Sequence, residues 1–502
     1  MSPVWRIRGI DAHQDTPVKI LHVVLLGFVK YLWRDVVQNQ LKGKEREKEL
    51  LATRLSSLDV SGLGISPLAG RTLVQYAGSL TGRDFRAIAQ TAPFVIYDLV
   101  SHDCFETWVA LSKLIPLIWQ PEIPNLDDHL AVLEQEMRYF ILCAARWSIR
   151  WFNKPKFHIF LHLVDHIRRF GPAIFVHSNR HAPSRDIALA FAQGNRIRHL
   201  MSSGHFIFRS QTTLSAYSHT DFDHLTGLQP SFSFRKEDWR CIGPGPQRLL
   251  AGGDTATQYL GIERQMNIKH GLCISDKKPP REFSQLRTGQ MLPNCISGTS
   301  NRLFKTCDSV TLKNGDICTP NQIVVVRNQH MAGQTCVARV EEIVQIKGSV
   351  SDMACMPDAI LLELVSVSNG SSIYHMPLIE LTNSWLLVHY EDILCTVNAQ
   401  HNCAANACDT SGFRYVYQER QRTNQTQAAV VHQRPTDLIL NTAQMRDAVH
   451  VQQFRIPPQV LDEDEVITAS AAQEVHARKA PELKMKRREA TIVSNPREVL
   501  GR

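Results

Sequence analysis

The chain has 502 residues, 43% of them hydrophobic and 21% charged, a globular profile long enough for roughly two to four ordinary domain cores. No apolar run approaches the roughly 18 to 20 residues that a membrane-spanning helix needs, and the first ten residues lack the apolar core of a signal peptide. A formal net charge of +8 suits an anionic partner, and twelve scattered cysteines suit a reducing compartment better than a disulfide framework.

In chain order, Val18, Leu21, Leu25, Phe28, Val29 and Leu32 share one face of a helix expected over 15–42, with Pro17 in its first turn. A Ser/Gly/Pro-rich stretch over 56–70 reads as a surface connection. Residues 81–100 read as one or two helices interrupted at Pro93, and 104–119 and 126–152 as stronger ones. The amphipathic stretch 157–170 is stopped by Gly171-Pro172. Beyond about residue 209, short β-branched runs appear at 309–312, 323–327, 336–346, 360–367 and 385–389, with a tight-turn signal at Lys313-Asn314-Gly315-Asp316. The expected fold is therefore α+β and multi-domain. Residues 1–208 are mainly helical, 209–294 an irregular connection, 295–398 a small antiparallel β module, 399–460 a mixed C-terminal extension and 461–502 a flexible basic tail. The β module is compatible with a sandwich or a curved barrel.

The chain lacks a phosphate-binding GxxxxGK[ST], a dinucleotide fingerprint, HExxH and GxSxG, which removes most common enzyme classes. Three groups carry candidate chemistry. Asp11, His13, Asp15 and His22 cluster at the first helix, where a carboxylate either caps the helix or binds metal. Two-metal phosphodiester chemistry needs several carboxylates, more than this cluster supplies. His158, His162 and His166 recur every fourth residue. Across about 12 Å of helix only a pair of them reaches one ion, and packing competes with that reading. Cys395, His401, Cys403 and Cys408 have the residue types of a closed zinc site, but His401-x-Cys403 is tighter than the usual spacing, and unpaired thiols are the competing reading. Near the C-terminus Arg478, Lys479, Lys484, Lys486, Arg487 and Arg488 stand against Glu482, as a nuclear-import signal, a phosphate-contacting arm or a plain solvated tail.

Four strings together resemble basidiomycete transposon-encoded proteins related to the plant CACTA transposases. They run from Asp15 through His22, Gly27, Lys30 and Trp33 to Asp35; from Lys156-Phe-His158 through His162 and Phe170-Gly171-Pro172 to Ala182-Pro-Ser-Arg185-Asp186; over Glu391-Asp392, Cys395, Asn398 and Gln400-His401-Asn402-Cys403; and over Leu440-Asn441-Thr-Ala443-Gln444-Met445-Arg446-Asp447. The resemblance spans about 11–454 and implies a ribonuclease-H-like core interrupted by a large helical insertion. It also implies cut-and-paste DNA transposition with three acidic residues holding a divalent metal such as Mg2+. Asp15 or Asp11 matches the second acidic position and His22 the histidine after it. The first acidic position lies upstream in the family. The third, a glutamate, is missing where Gly171-Pro172 runs into Ser178-Asn179-Arg180 and Ala182. That pattern implies a degenerate catalytic site.

The expected function is thus a catalytically inactive, transposase-derived protein, nuclear or else cytoplasmic, not membrane-bound, with non-specific DNA binding. Arg168, Arg169, Arg185, Lys484, Lys486, Arg487 and Arg488 are its candidate contacts. No cofactor is expected beyond zinc at the Cys/His cluster. A protein-interaction module with a protein partner or self-association, and a shortened copy of an active transposase, are the alternatives.

Overall fold

The computed structural model describes residues 16–176, 205–207, 239–241, 271–275, 279–295, 302–327, 334–346, 357–368, 373–418 and 421–494. The chain divides into two units, Met1–His177 with Lys269–Arg502, and Ser178–Ile268. Within Ser178–Ile268 the described residues are two strands, β1 (His205–Ile207) and β2 (Trp239–Cys241), paired antiparallel. The larger unit carries every other described element and is α+β, helical first and then an antiparallel sheet.

Its first helix, α1, runs through Leu21–Val29, Lys30–Asp35 and Val36–Gln40, with π-type winding at both ends. Pro17 stands before the helix rather than in its first turn. The Val18 amide donates to His166 Nδ1 at 2.9 Å, which holds this stretch outside the helical ladder. There follow α2 (Glu45–Ser57), α3 (Gly70–Gln75), α4 (Gly82–Thr91), α5 (Pro93–Ile96), α6 (His102–Ile118), α7 (Leu126–Trp147), α8 (Pro155–Leu161) and α9 (Leu163–Phe170). Local signals set these ends. Thr81 and Asp84 form a reciprocal capping box on α4, Pro93 opens α5, Asn125 caps α7 through the Asp128 amide, and Gly171 leaves α9 with φ +82°. Helix α6 is buried on every side from Cys104 to Ile118, so it is the axis of the helical layer. Trp108 meets Trp33 edge-on at 6.0 Å, and Phe28 packs against Phe157 at 4.5 Å and Phe160 at 4.9 Å.

The sheet contains β3 (Cys273–Ser275), β4 (Arg281–Glu282), β5 (Leu303–Thr311), β6 (Ile317–Cys318), β7 (Ile323–Arg327), β8 (Thr335–Ile346), β9 (Ala359–Ser368), β10 (Leu378–Val388), β11 (Ile393–Val397), β12 (Ala399–His401) and β15 (Leu438–Leu440). Its order is β11-β7-β8-β9-β10-β15-β12, with β5 leaving β8 to pair with β3, β4 and β6. Strand β7 reads as an unbroken apolar run because Val324 and Val326 enter one core while Ile323 and Val325 enter another on the opposite face. Between β5 and β6 the chain turns at Lys313–Gly315, where Gly315 has φ +84°.

Two expected boundaries change. The sheet starts at Cys273 and ends at Leu440, so it takes in part of the expected connection and of the C-terminal extension. Strands β3, β12 and β15 have three residues each, too few to show an alternation. The expected flexible tail is largely a helix over Glu463–Ser494, rich in the strong helix formers Ala, Glu, Lys and Arg. It is tied to α7 by Arg138–Glu463 at 3.0 Å and by apolar contact of Val466 with Leu142 and Ala145; Arg150 just beyond α7 adds a pair with Glu474 at 3.0 Å.

Helices and sheet share a core. Tyr374, Met376, Ile439, Ala443 and Met445 join the helical cluster, with the Tyr374 ring tilted against Phe94 at 5.1 Å. A buried ladder of side-chain amides reinforces the seam. Asn398 Nδ2 donates to the carbonyls of Asp59 (2.9 Å) and Ser61 (2.8 Å), Gln400 Nε2 donates to Asp59 O, and Asn441 Nδ2 donates to Asn398 Oδ1 (2.8 Å) and Gln90 O (3.2 Å). The Met445 amide in turn donates to Gln90 Oε1 at 2.8 Å. Gly62, at φ +78°, lets its loop approach so closely that an added Cβ would lie 2.7 Å from the carbonyl carbon of Val397.

Candidate metal centre

Beyond β12 the chain makes one turn of helix, α10 (Cys403–Asn406), passes Ala407 in the left-handed region at φ +45°, and enters a separate hairpin of β13 (Asp409–Gln418) and β14 (Gln421–Val431). The hairpin pairs Asp409 with Val431, which brings Cys408 and His432, the residues flanking the two strands, to its root. His401, at the end of β12, and Cys403, at the start of α10, arrive at the same point. One ligand atom from each of His401, Cys403, Cys408 and His432 lies within 4.8 Å of the other three.

The individual separations fit a single ion. His401 Nδ1 is 3.4 Å from Cys403 Sγ and 3.5 Å from Cys408 Sγ, and His432 Nδ1 is 3.4 Å from Cys403 Sγ. A tetrahedral zinc ion with ordinary Zn–S and Zn–N bonds spaces its nitrogen and sulfur ligands by ~3.6 Å. The surroundings orient the donors. His401 Nε2 donates to the Arg434 carbonyl at 3.1 Å, which leaves Nδ1 with its lone pair toward the thiols, and the Gln433 amide donates to Cys408 Sγ at 3.4 Å. Asn402 and Asn406 both bond Asp437 from inside the loop.

Without a metal, Cys403 and His432 are held neutral. Burial, then the adjacent Cys408 thiol, pushes Cys403 up to about 12, and burial followed by His401 lowers His432. A divalent cation reverses that preference, because thiolates and neutral imidazoles are the forms it binds. The thiols border an open cleft of about 650 Å³ that is also lined by Arg54, Tyr97 and Asp98. Arg54 is engaged there, donating to both carboxylate oxygens of Asp98 and lying over the Tyr97 ring at 4.4 Å.

Of the residues expected at a zinc site, the structure brings together His401, Cys403 and Cys408 but not Cys395. Cys395 is a fully buried member of β11, packed in the core with Val325, Val337 and Leu440, where burial raises its thiol. His432 takes the fourth position. Sequence reasoning missed it because 23 residues separate it from Cys408; the signal is the pairing of two strands between them.

The other candidates do not converge on this site. Asp11, Asp15, His13 and Arg185 lie outside the described residues. His22 is exposed on α1, and His158 and His162 are exposed with ring centres 5.1 Å apart. The three rings form a row across the junction of α8 and α9, with His162 stacked on His166 at 6.2 Å, and His166 Nδ1 is taken up by the Val18 amide. Arg168 is exposed and lies 3.6 Å from Asp127, and Arg169 lies over the Phe170 ring at 5.7 Å. Lys484, Lys486, Arg487 and Arg488 fall on the C-terminal helix. A buried charge cluster that the sequence did not suggest links α6, α7 and the segment after β15. Glu136 accepts from Arg455 at 2.8 Å and lies 3.6 Å from Lys113 Nζ, and Glu106 accepts from the Tyr139 hydroxyl at 3.3 Å.

Fold and site together define an α+β protein carrying a closed set of two thiols and two imidazoles at the root of a hairpin. Residues 268–460, which include every member of that set, are similar to a family described as a domain of unknown function (DUF8590). No curated protein and no solved structure matches the chain. Among the described residues no helix is long and apolar enough to cross a membrane.

Proposed function

We propose that this is a non-catalytic binding protein in which a zinc ion, held by His401, Cys403, Cys408 and His432, fixes the β13–β14 hairpin. The observation that carries the proposal is the mutual approach of the four donor atoms within 4.8 Å. Four protein ligands leave no open position for substrate, which is the arrangement of a structural rather than a catalytic zinc. The proposed partner is DNA, in keeping with the +8 charge and the basic run that includes Lys484, Lys486, Arg487 and Arg488 on a helix. In this reading the chain is a nuclear, transposase-derived protein with a ribonuclease-H-like ancestry in which the glutamate of a magnesium-binding set is missing after Gly171-Pro172, as its sequence strings imply.

The test has two parts. Metal analysis of the purified chain is expected to give one zinc per chain, lost in the variants Cys403→Ser and His432→Ala. Duplex-DNA binding followed across a salt series is expected to weaken steeply with salt and to flatten when Lys484, Lys486, Arg487 and Arg488 are replaced by Glu. A chain that carries no zinc and takes up none would overturn the first part, and no DNA binding at low salt would overturn the second. A protein-interaction role is favoured by one observation, the 76% exposure of Phe413 on the hairpin.

A further inference from the structure

We infer that Cys403 and Cys408 are a peroxide-reactive pair whose oxidation to a disulfide expels the metal and releases the hairpin root. The inference rests on the zinc reading above and adds a modification site to it. Three features of the structure support it.

The first is access. Among the described cysteines, Cys104, Cys143, Cys273, Cys307, Cys318 and Cys395 are buried, Cys336 is half-buried and Cys295 exposed, and Cys403 and Cys408 are half-buried and line the open cleft together. A molecule as small as hydrogen peroxide reaches the two sulfurs through that cleft without opening a core. The second is proximity. The two sulfurs lie within 4.8 Å of each other and a disulfide spans about 2.05 Å, so closure is a movement of less than ~3 Å. Four residues separate the two cysteines, in one turn of helix and a left-handed Ala407, with Ala404 and Ala405 exposed or half-buried at the surface. The third is the state of the sulfurs. Bound to a divalent cation both are thiolates, the nucleophilic form, while the cation restrains but does not bury them.

The chemistry balances with peroxide as the named oxidant. One thiolate attacks a peroxide oxygen, the O–O bond breaks, and a sulfenic acid forms with hydroxide as the leaving group, which takes up a proton to become water. The second thiolate then attacks the sulfenic sulfur, the S–S bond forms, and the departing hydroxide becomes a second water. Two thiolates lose two electrons, hydrogen peroxide gains them, and two protons are consumed. The zinc, left with His401 and His432, dissociates.

The experiment uses the full chain purified with its zinc and a Cys295→Ser version that removes an exposed thiol outside the site. Peroxide is titrated in while a chromogenic chelator reads released zinc and peptide mass analysis reads the cysteines. The expected result in both proteins is one zinc released per chain in step with a Cys403–Cys408 crosslink, reversed by a dithiol reductant and added zinc. Zinc retained while other cysteines oxidise, or zinc released with no Cys403–Cys408 crosslink, overturns the inference and leaves the zinc reading standing. A chain with no zinc that takes up neither zinc nor cobalt overturns both.

Discussion

Removing the metal from the intact chain is expected to loosen the hairpin selectively. A bond from His401 to His432 through one ion closes a loop of 32 residues, counted inclusively. In the chain-entropy treatment of crosslinks, a loop of that size corresponds to about 12 cal/mol/K, or about 3.7 kcal/mol at 25 °C. At 1.36 kcal/mol per factor of ten, the opening equilibrium of the hairpin shifts by up to about 500-fold. Packing sets what remains when the metal is gone, since the Val430 amide still donates to Ser57 Oγ at 3.0 Å and β14 still lies on α2. Hydrogen exchange read by mass spectrometry, with and without a strong zinc chelator, resolves the region. Amides of β13 and β14 are expected to exchange up to two to three orders of magnitude faster after chelation, while those of β7, β8 and β9 are unchanged. Unchanged exchange in the hairpin, or equal acceleration in the hairpin and the central strands, would refute a local staple.

Three further outcomes follow from the geometry. Zinc affinity should fall as pH falls, because burial raises the Cys403 thiol and the ion must displace its proton; near neutrality the loss is ~10-fold or more per pH unit, measured by chelator competition, and a flat profile would exclude thiolate ligation. Glu136→Gln removes the anion shared by buried Lys113 and Arg455 and is expected to cost ~3–5 kcal/mol in denaturant unfolding, whereas a loss below ~1 kcal/mol would show that the cluster is solvated. Gly62→Ala forces a side chain into a left-handed position against the Val397 carbonyl and is expected to lower unfolding free energy by ~1–3 kcal/mol; no change would mean the loop and β11 separate freely.

The helical part was legible because its signals are local. Pro93 opens a helix, Gly171 closes one, and the apolar spacing of α7 repeats over 22 residues. The long central strands were legible as β-branched runs for the same reason. What the sequence hid depends on contacts between distant positions. Strands β12 and β15 are three residues each and exist because they pair with one another and with β10. Three of the four metal-site residues lie within eight positions, 401–408, and could be grouped by spacing, whereas His432 joins them through strand pairing. Cys395 was drawn into the group by nearness in sequence, although the β-strand carries its side chain into the core instead. Charge pairing across the helical layer, as between Glu136 and Arg455 at a separation of 319 residues, has no local signature at all.

Two of the strings singled out in the sequence have structural roles in the fold. Asn398 and Gln400 from one string and Asn441 and Gln444 from another form the amide ladder that clamps the sheet to the loop at Asp59–Ser61 and to Gln90. His401 and Cys403, in the same run as Asn398, belong to the metal set, while Arg446 and Asp447 pair with Asp316 and Asn314 on the turn between β5 and β6. Each of these groups is buried or half-buried with a specific partner, so replacing one leaves an unsatisfied amide or charge at a cost of about 1–3 kcal/mol. Such positions resist change for the sake of the fold alone.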